Sequence, residues 1–275
     1  MRKQINFIRS QIRSGDLVDS VQNGVSDPEK VYRFLLDKDR FLPKHRNEGC
    51  LYTSEVESFI GGLTDEPKEI IREEWLNLKN DVKFRENIEK SLNLIDTGPD
   101  KLYGNWRELL YLVVRMEKPK VVLETGVGNG LSTAYILNAL EKNGEGNLHS
   151  IDIGNKAPLP EEVKDEGMGW LVPDHLNDRW NIKIGDTEKI LKKAFSSRSV
   201  DMFFSDVPNE ILEHEINVAQ SHMESGSTVI SSYPVESEAE RVWKRFQSKH
   251  LRGSHTARRA FYQNTPSKTC AGKLV

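Results

Sequence analysis

Apolar residues in the second half of the chain form short continuous runs, and segments with helical spacing lie between these runs. The runs predict strands over residues 120–124, 148–153, 180–184, 200–205 and 227–231. The intervening segments predict helices over residues 131–140, 187–195 and 211–223. Strands that alternate with helices of about ten residues indicate a parallel sheet covered on both faces. Right-handed crossovers then predict a doubly wound, mostly parallel α/β domain over residues 101–275.

The first hundred residues show helical spacing throughout. Helix start signals occur at Asp27-Pro28 and at Asp65-Glu66-Pro67, and a breaker closes the region at residues 97–100. We therefore predict a helical N-terminal extension over residues 1–100, which serves as a substrate lid or as a dimerisation surface. The pattern leaves open whether this extension has its own core or packs on the sheet.

Composition excludes several classes of protein. Hydrophobic residues make up 37% of the chain and charged residues 29%, which is enough apolar material for a folded core. No apolar run approaches the roughly 18 residues that span a bilayer, and the first residues lack the apolar stretch of a secretory signal. The two cysteines, Cys50 and Cys270, form neither a disulfide framework nor a metal cluster. We expect two free thiols in a reducing cytosol and no membrane partner.

The charge is distributed unevenly. The net charge is -3, but residues 241–275 contain nine Lys and Arg and no Asp or Glu. A basic terminal segment can bind polyanions. Because no aromatic pattern there supports a base-stacking surface, we favour a solvated helix face followed by an edge strand protected by Arg and Lys.

A glycine-rich turn carries the main chemical signal. The first strand leads through Glu124 into Gly126, Gly128 and Gly130, and a helix opens at Leu131-Ser132-Thr133. Glycines allow a tight turn and a close approach of backbone to a ligand, and the helix N-terminus offers free N–H groups. Asp152 ends the next strand about 20 residues later, where a carboxylate can accept hydrogen bonds from ribose hydroxyls. The pattern therefore predicts a nucleoside-containing ligand.

The glycine spacing argues against a nicotinamide dinucleotide. A G-x-G-x-x-G fingerprint requires glycine at residue 131 or 133, which are Leu and Thr. The observed E-x-G-x-G-x-G resembles motif I of the class I S-adenosylmethionine-dependent methyltransferases. The segments LHSIDI, GWLVPDHLNDRWNIKIGDTEKIL and VDMFFSD extend the resemblance over about residues 103–235, towards the catechol-O-methyltransferase-like enzymes of methyltransferase family 24.

The resemblance implies a Rossmann-like fold and a cofactor, S-adenosyl-L-methionine. It implies that Glu124, the glycine turn and Ser132 face the methionine part of the cofactor and that Asp152 holds the ribose. Asp186 would approach the adenine amino group, or would act as the N-cap of the following helix, and both roles can coexist. The long connection over residues 154–179 contains Trp170, which either walls the ligand pocket or packs on the core.

Asp206, at the end of the strand VDMFFS, is the candidate catalytic residue, with a helix cap or turn as the alternative. Relatives often carry a His in the pattern D-x-x-H, whereas this chain has Asp206-Val207-Pro208-Asn209. His214 lies further along, on the next helix, and is an unconvincing general base. The Asp-Asn pair of the metal-dependent branch is replaced by Ser231-Ser232, so we expect no catalytic metal.

The resemblance implies O-methylation of a small-molecule or sugar-type hydroxyl. Three alternatives remain: a non-catalytic protein of the same fold that acts as a binding or scaffold module, an oxidoreductase, and a nucleic-acid methyltransferase. The glycine spacing disfavours the oxidoreductase, and the absence of an N/D-P-P-Y/F motif disfavours the last alternative. A homodimer is compatible with the amphipathic extension.

Overall fold

The computed structural model describes residues 54–92, 106–154, 167–234, 237–262 and 265–275. The predicted helix start at Asp27-Pro28 and Cys50 lie outside these residues, whereas Cys270 is buried.

Helices and strands alternate in the second half of the described chain, as the sequence predicts. The helices are α1 (Ser54–Thr64), α2 (Lys68–Lys79), α3 (Val82–Leu92), α4 (Trp106–Glu117), α5 (Leu131–Asn143), α6 (Thr187–Ser196), α7 (Asn209–His222) and α8 (Glu238–His250), with a 3-10 helix at Asp174–Arg179. The strands are β1 (Val121–Thr125), β2 (Asn147–Asp152), β3 (Trp180–Ile184), β4 (Met202–Ser205), β5 (Thr228–Pro234), β6 (Leu251–Tyr262) and β7 (Thr265–Leu274).

The seven strands form one sheet in the order β3-β2-β1-β4-β5-β7-β6. Strands β1 to β5 are parallel to one another, and β7 runs antiparallel to both β5 and β6. The prediction of a doubly wound, mostly parallel sheet is therefore confirmed. The order of the strands reverses between β1 and β4, and ligands of open α/β sheets bind outside the carboxyl ends of the strands at such a point.

Both faces of the sheet are covered, and this is why its central strands are continuous apolar runs. Successive side chains of a strand point to opposite faces. Val122 and Phe204 accordingly belong to the core beneath α1–α5, whereas Leu123 and Phe203 belong to the core beneath α6–α8.

Helices α1–α3 share the first of these cores rather than forming their own. Phe59, Ile60 and Ile71 are buried in it together with residues of α4 and α5. The Arg115 guanidinium on α4 holds both oxygens of Glu74 on α2, with Nε–Oε2 and Nη2–Oε1 distances of 2.8 and 2.9 Å. The sequence left open whether the extension has its own core or packs on the sheet. Residues 54–92 pack on the sheet domain. None of the helices in the described ranges is long and apolar enough to cross a membrane.

Candidate active site

The glycine turn lies at the carboxyl end of β1, at the point where the strand order reverses. Gly126, Gly128 and Gly130 all have positive φ, at 85°, 53° and 85°. A Cβ at Gly126 would lie 2.2 Å from the backbone oxygen of Asp206, and one at Gly130 would lie 2.6 Å from the Cα of Gly169. A Cβ at Gly128 would meet nothing within 4 Å, and the residue is exposed. Gly126 and Gly130 thus serve internal packing, and the absence of a side chain at Gly128 leaves open space beside the turn for a ligand.

The end of the long connection supports the turn from one side. Gly169 N donates to Gly128 O at 3.0 Å, and Leu171 N donates to Asn129 O at 2.9 Å. The indole of Trp180 lies directly against Gly169. Trp170 is half-buried and packs against the hydrophobic core, which is the packing alternative of the two that the sequence left open.

Asp152 is buried at the end of β2 and holds the glycine turn. Its Oδ2 accepts hydrogen bonds from Val127 N at 2.7 Å and Gly128 N at 3.1 Å, and its Oδ1 accepts one from Gly154 N at 2.9 Å. A carboxylate can accept about four hydrogen bonds, so one acceptor position is left for a ligand hydroxyl.

Two apolar side chains stand exposed beside this carboxylate. Ile153 follows Asp152 in the chain and is 46% exposed. Ile184, which is paired with Asp152 in the sheet, is 56% exposed. Large apolar side chains left open next to a polar group are typical of binding sites for ligands with an apolar face.

Glu124 lies on the face of β1 that α5 covers and is fully buried. It accepts hydrogen bonds from the hydroxyls of Ser150 at 2.7 Å, Thr133 at 2.9 Å and Ser132 at 3.3 Å. Burial raises the pKa of Glu124 to about 7 and the nearby Asp206 charge adds to this, although the three hydroxyls oppose it. Two predicted cofactor residues, Glu124 and Ser132, therefore contact each other in the structure and hold the first turn of α5.

Asp186 acts as a helix cap. Its Oδ1 accepts a hydrogen bond from Glu188 N at 3.1 Å, and its Oδ2 lies 3.2 Å from the ammonium of Lys189. Of the two roles that the sequence allowed, the structure contains this one.

Asp206 lies between the ends of β1 and β5. Its backbone N–H donates to Thr125 O at 3.0 Å, and its Oδ1 accepts a hydrogen bond from Ser232 Oγ at 2.9 Å. The side chain is half-buried at the carboxyl edge of the sheet, next to the glycine turn. His214 lies on α7, where its Nε2 is buried and has no hydrogen-bond partner among the described residues.

Glu215 is a buried residue of the site region that sequence reasoning missed. It lies on α7, is fully buried, and its Oε2 accepts hydrogen bonds from Thr125 Oγ1 at 2.6 Å and Ser205 Oγ at 2.8 Å. Burial raises the pKa of this carboxyl, which the hydroxyls of Thr125, Ser205 and Thr187 oppose. The available signal was its spacing, because it falls three residues after Leu212 on the apolar stripe of the helix.

Within the described ranges, no group of three or more His, Cys, Asp or Glu side chains is arranged to hold a metal ion.

The site lies inside a segment with a recognisable family pattern. Residues 123–231 match the family model described as "Methyltransferase domain". This segment, which is less than half of the chain, is similar to methyltransferase domains. Among curated proteins, none matches the chain by sequence.

Solved methyltransferases share the fold of this domain. An O-methyltransferase from Bacillus cereus in complex with SAH has a TM-score of 0.53 at 14% identity, covering 71% of this chain and 92% of that one. The O-methyltransferase TomG from Streptomyces achromogenes, solved with SAM and involved in tomaymycin synthesis, has a TM-score of 0.50 at 16% identity, covering 72% and 92%. A cofactor-bound protein from MTB has a TM-score of 0.54 at 14% identity, covering 76% and 96%. At these identities the likeness shows a common fold.

Proposed function

We propose that this protein is an S-adenosylmethionine-dependent O-methyltransferase that acts on a small-molecule or sugar-type hydroxyl. The observation that carries the proposal is the open space at Gly128, whose own N–H and C=O groups are hydrogen-bonded to Asp152 and Gly169. It lies within the segment that is similar to methyltransferase domains, between a helix N-terminus and the Asp152 carboxylate.

The residues around this opening fit a sulfur nucleoside. Asp152 has acceptor capacity left for a ribose hydroxyl, and the exposed Ile153 and Ile184 suit the face of an adenine ring. Gly130, the N-cap of α5, has no side chain to accept from the first turn, so the N-terminal dipole of the helix favours a carboxylate such as that of the methionine moiety. Asp186 is one-third exposed at its side chain and can accept from the adenine amino group while it caps α6.

S-adenosylmethionine supplies an activated methyl group on a sulfonium sulfur, so the protein must chiefly align the acceptor and exclude water. Asp206 is our candidate for the residue that accepts the hydroxyl proton of the acceptor. The hydroxyl of Ser232 fixes Asp206 Oδ1, and the N–H of Asp206 is fixed by β1. We propose that residues 1–100 cover the acceptor side of the site or mediate a homodimer, and that the enzyme works in the cytoplasm without a catalytic metal.

Ligand binding tests the cofactor assignment. Thermal unfolding in the presence of SAM or SAH at about 100 times the dissociation constant should raise stability by about 2.7 kcal/mol and the midpoint by roughly 5–10 °C. NAD should give no rise. Absence of a rise with SAM and with SAH would refute the proposal.

Two glycine variants separate a ligand contact from a backbone effect. Gly128 and Gly144 both have positive φ, and a Cβ at either position meets no atom within 4 Å. Gly144 lies at the opposite end of α5. Gly128→Ala should therefore weaken SAH binding, whereas Gly144→Ala should cost similar stability and leave the affinity unchanged.

Transfer needs its own assay, with radiolabelled SAM and a panel of small hydroxyl compounds. We expect a methyl ether product that Asp206→Ala abolishes while SAH still binds. Binding of SAH without transfer to any acceptor would favour the binding or scaffold module, for which the missing histidine after Asp206 is the specific observation.

A further inference from the structure

Three segments of the site meet at the buried carboxylate of Glu215, on the face of the sheet that α6–α8 cover. Thr125 immediately precedes Gly126, Ser205 immediately precedes Asp206, and Thr187 immediately follows Asp186. All three hydroxyls lie at Glu215, which belongs to α7 and which the proposed mechanism does not use.

The register shows why one side chain can reach two strands. Thr125 of β1 and Ser205 of β4 are paired in the sheet, so their side chains point to the same face. Both donate to the same oxygen, Oε2, at 2.6 and 2.8 Å. A carboxylate that accepts two short bonds to one oxygen fixes the separation of the two strand ends.

The two strand ends are also in direct backbone contact. Asp206 N donates to Thr125 O, and the backbone oxygen of Asp206 lies so close to Gly126 that a Cβ there would be 2.2 Å away. A small displacement of either end would therefore move the glycine turn relative to Asp206.

The surroundings of Glu215 do not explain it as an ordinary stabilising residue. No cation pairs with it among the described residues, and its Oε1 is buried without a hydrogen-bond partner there. Burying a carboxylate in this way costs stability, and an apolar side chain would suit the neighbouring Leu212 and Ile216 better. Its contacts with the strand ends of the site, and not a gain in stability, therefore account for a carboxylate at residue 215.

We propose that Glu215 is a positioning residue: through Thr125, Ser205 and Thr187 it holds the glycine turn, Asp206 and the start of α6 at fixed separations from beneath the sheet. It does not touch the ligand. Supporting groups of this kind keep binding side chains within the narrow geometry that a site requires.

The test compares SAH affinity with stability at a temperature where every variant is folded, and it rests on the proposed SAH binding. Glu215→Leu should weaken SAH binding by about tenfold or more, because the hydroxyls lose their acceptor. Glu215→Gln keeps an acceptor oxygen and should restore affinity to within about threefold of wild type. Leu212→Ala, on the same helix and equally buried, should lower the urea midpoint without changing the SAH dissociation constant.

A second route avoids the buried substitution, in case Glu215→Leu does not fold. The double variant Thr125→Val with Ser205→Ala leaves Glu215 in place and removes both donors to Oε2. It should also weaken SAH binding by about tenfold.

The outcomes are distinguishable. If wild type binds SAH and both sets of variants bind it as Leu212→Ala does, the positioning role is refuted while the proposed function stands. If wild type does not bind SAH, the proposed function fails and this inference fails with it.

Discussion

Replacing Glu124 by glutamine tests whether a fully buried carboxyl beside the glycine turn titrates near neutral pH. Burial raises its pKa from an ordinary value of 4.5 to about 7, against the effect of three hydroxyl donors. One pKa unit corresponds to about 1.4 kcal/mol, so the buried charge lowers the free energy of unfolding by roughly 3 kcal/mol once Glu124 is ionised.

The direction follows from counting protons. Between about pH 4.5 and 7, the folded chain retains the Glu124 proton and the unfolded chain has lost it. The free energy of unfolding contributed by this group therefore falls as pH rises through that window. Below the window the group is protonated in both states, and above it the group is ionised in both, so the contribution levels off.

Urea unfolding of wild type and Glu124→Gln from pH 4.5 to 8 measures the effect. Glutamine has nearly the same shape and no charge, and the other titrating groups are common to both proteins. We expect the stability of wild type relative to the variant to fall by roughly 3 kcal/mol across the window. Thr133→Val removes a hydroxyl that favours the charged form, so it should move the fall to higher pH.

A stability difference that does not change with pH would refute this reasoning. It would mean that the hydroxyls of Ser150, Thr133 and Ser132 keep Glu124 ionised despite its complete burial.

Three further substitutions probe the supports of the site, each by urea unfolding without ligand. Asp152→Ala leaves three backbone N–H groups without an acceptor and should lower the free energy of unfolding by about 3–5 kcal/mol. Asp152→Asn should recover part of this loss, and equal losses for the two variants would contradict the role of Asp152 as acceptor for these groups. Gly169→Ala places a Cβ 2.4 Å from an indole carbon and should cost about 1–3 kcal/mol more than Gly167→Ala, which has similar φ and open space. Arg115→Leu breaks the largely buried, bidentate ion pair with Glu74 and should lower the free energy of unfolding by about 3 kcal/mol. Arg179→Leu breaks the more exposed pair with Glu141 and should lower it by less than about 1 kcal/mol. Similar losses would show that helix α2 is only loosely attached.

The parallel strands could be predicted because the burial of each one is visible in its own short segment of sequence. A strand buried on both faces needs a continuous apolar run, and the predicted strand 120–124 is found at Val121–Thr125. The hairpin of β6 and β7 has no such run. Strand β7 is buried on both faces, since Ala271 and Cys270 belong to opposite cores, but its small and polar residues form no apolar run. Strand β6 at the edge is polar and basic, and the pattern indicated just an edge strand there.

The positions of the site residues were predictable, but their contacts were not. Asp152 and Asp206 follow strands, and the carboxyl ends of parallel strands meet at one edge, so their location follows from the strand boundaries. The side-chain partners come from elsewhere in the chain: Glu124 is held by Ser150, 26 residues away, and Thr125 by Glu215, 90 residues away. No periodicity encodes such pairs. A buried charge on an apolar helix stripe was the one local sign of Glu215.

The buried acids of the described chain divide into two groups. Glu57 and Glu240, on helices, are paired with Arg or Lys. Glu124, Asp152 and Glu215 have no cation partner among the described residues and accept hydrogen bonds from hydroxyl or backbone N–H donors at the carboxyl edge of the sheet, although Glu215 Oε1 accepts none there.

Such donors fix a carboxylate in place without cancelling its charge. When Glu124 ionises, its uncompensated charge beside the opening creates a negative potential that attracts a cation. We infer that the edge of the sheet favours a positively charged ligand, as the sulfonium and ammonium groups of SAM require. SAM should therefore gain more affinity than SAH, whose sulfur is neutral, as Glu124 ionises between pH 6 and 8. Isothermal titration of both ligands across that range checks this, and an equal pH dependence for the two would contradict it.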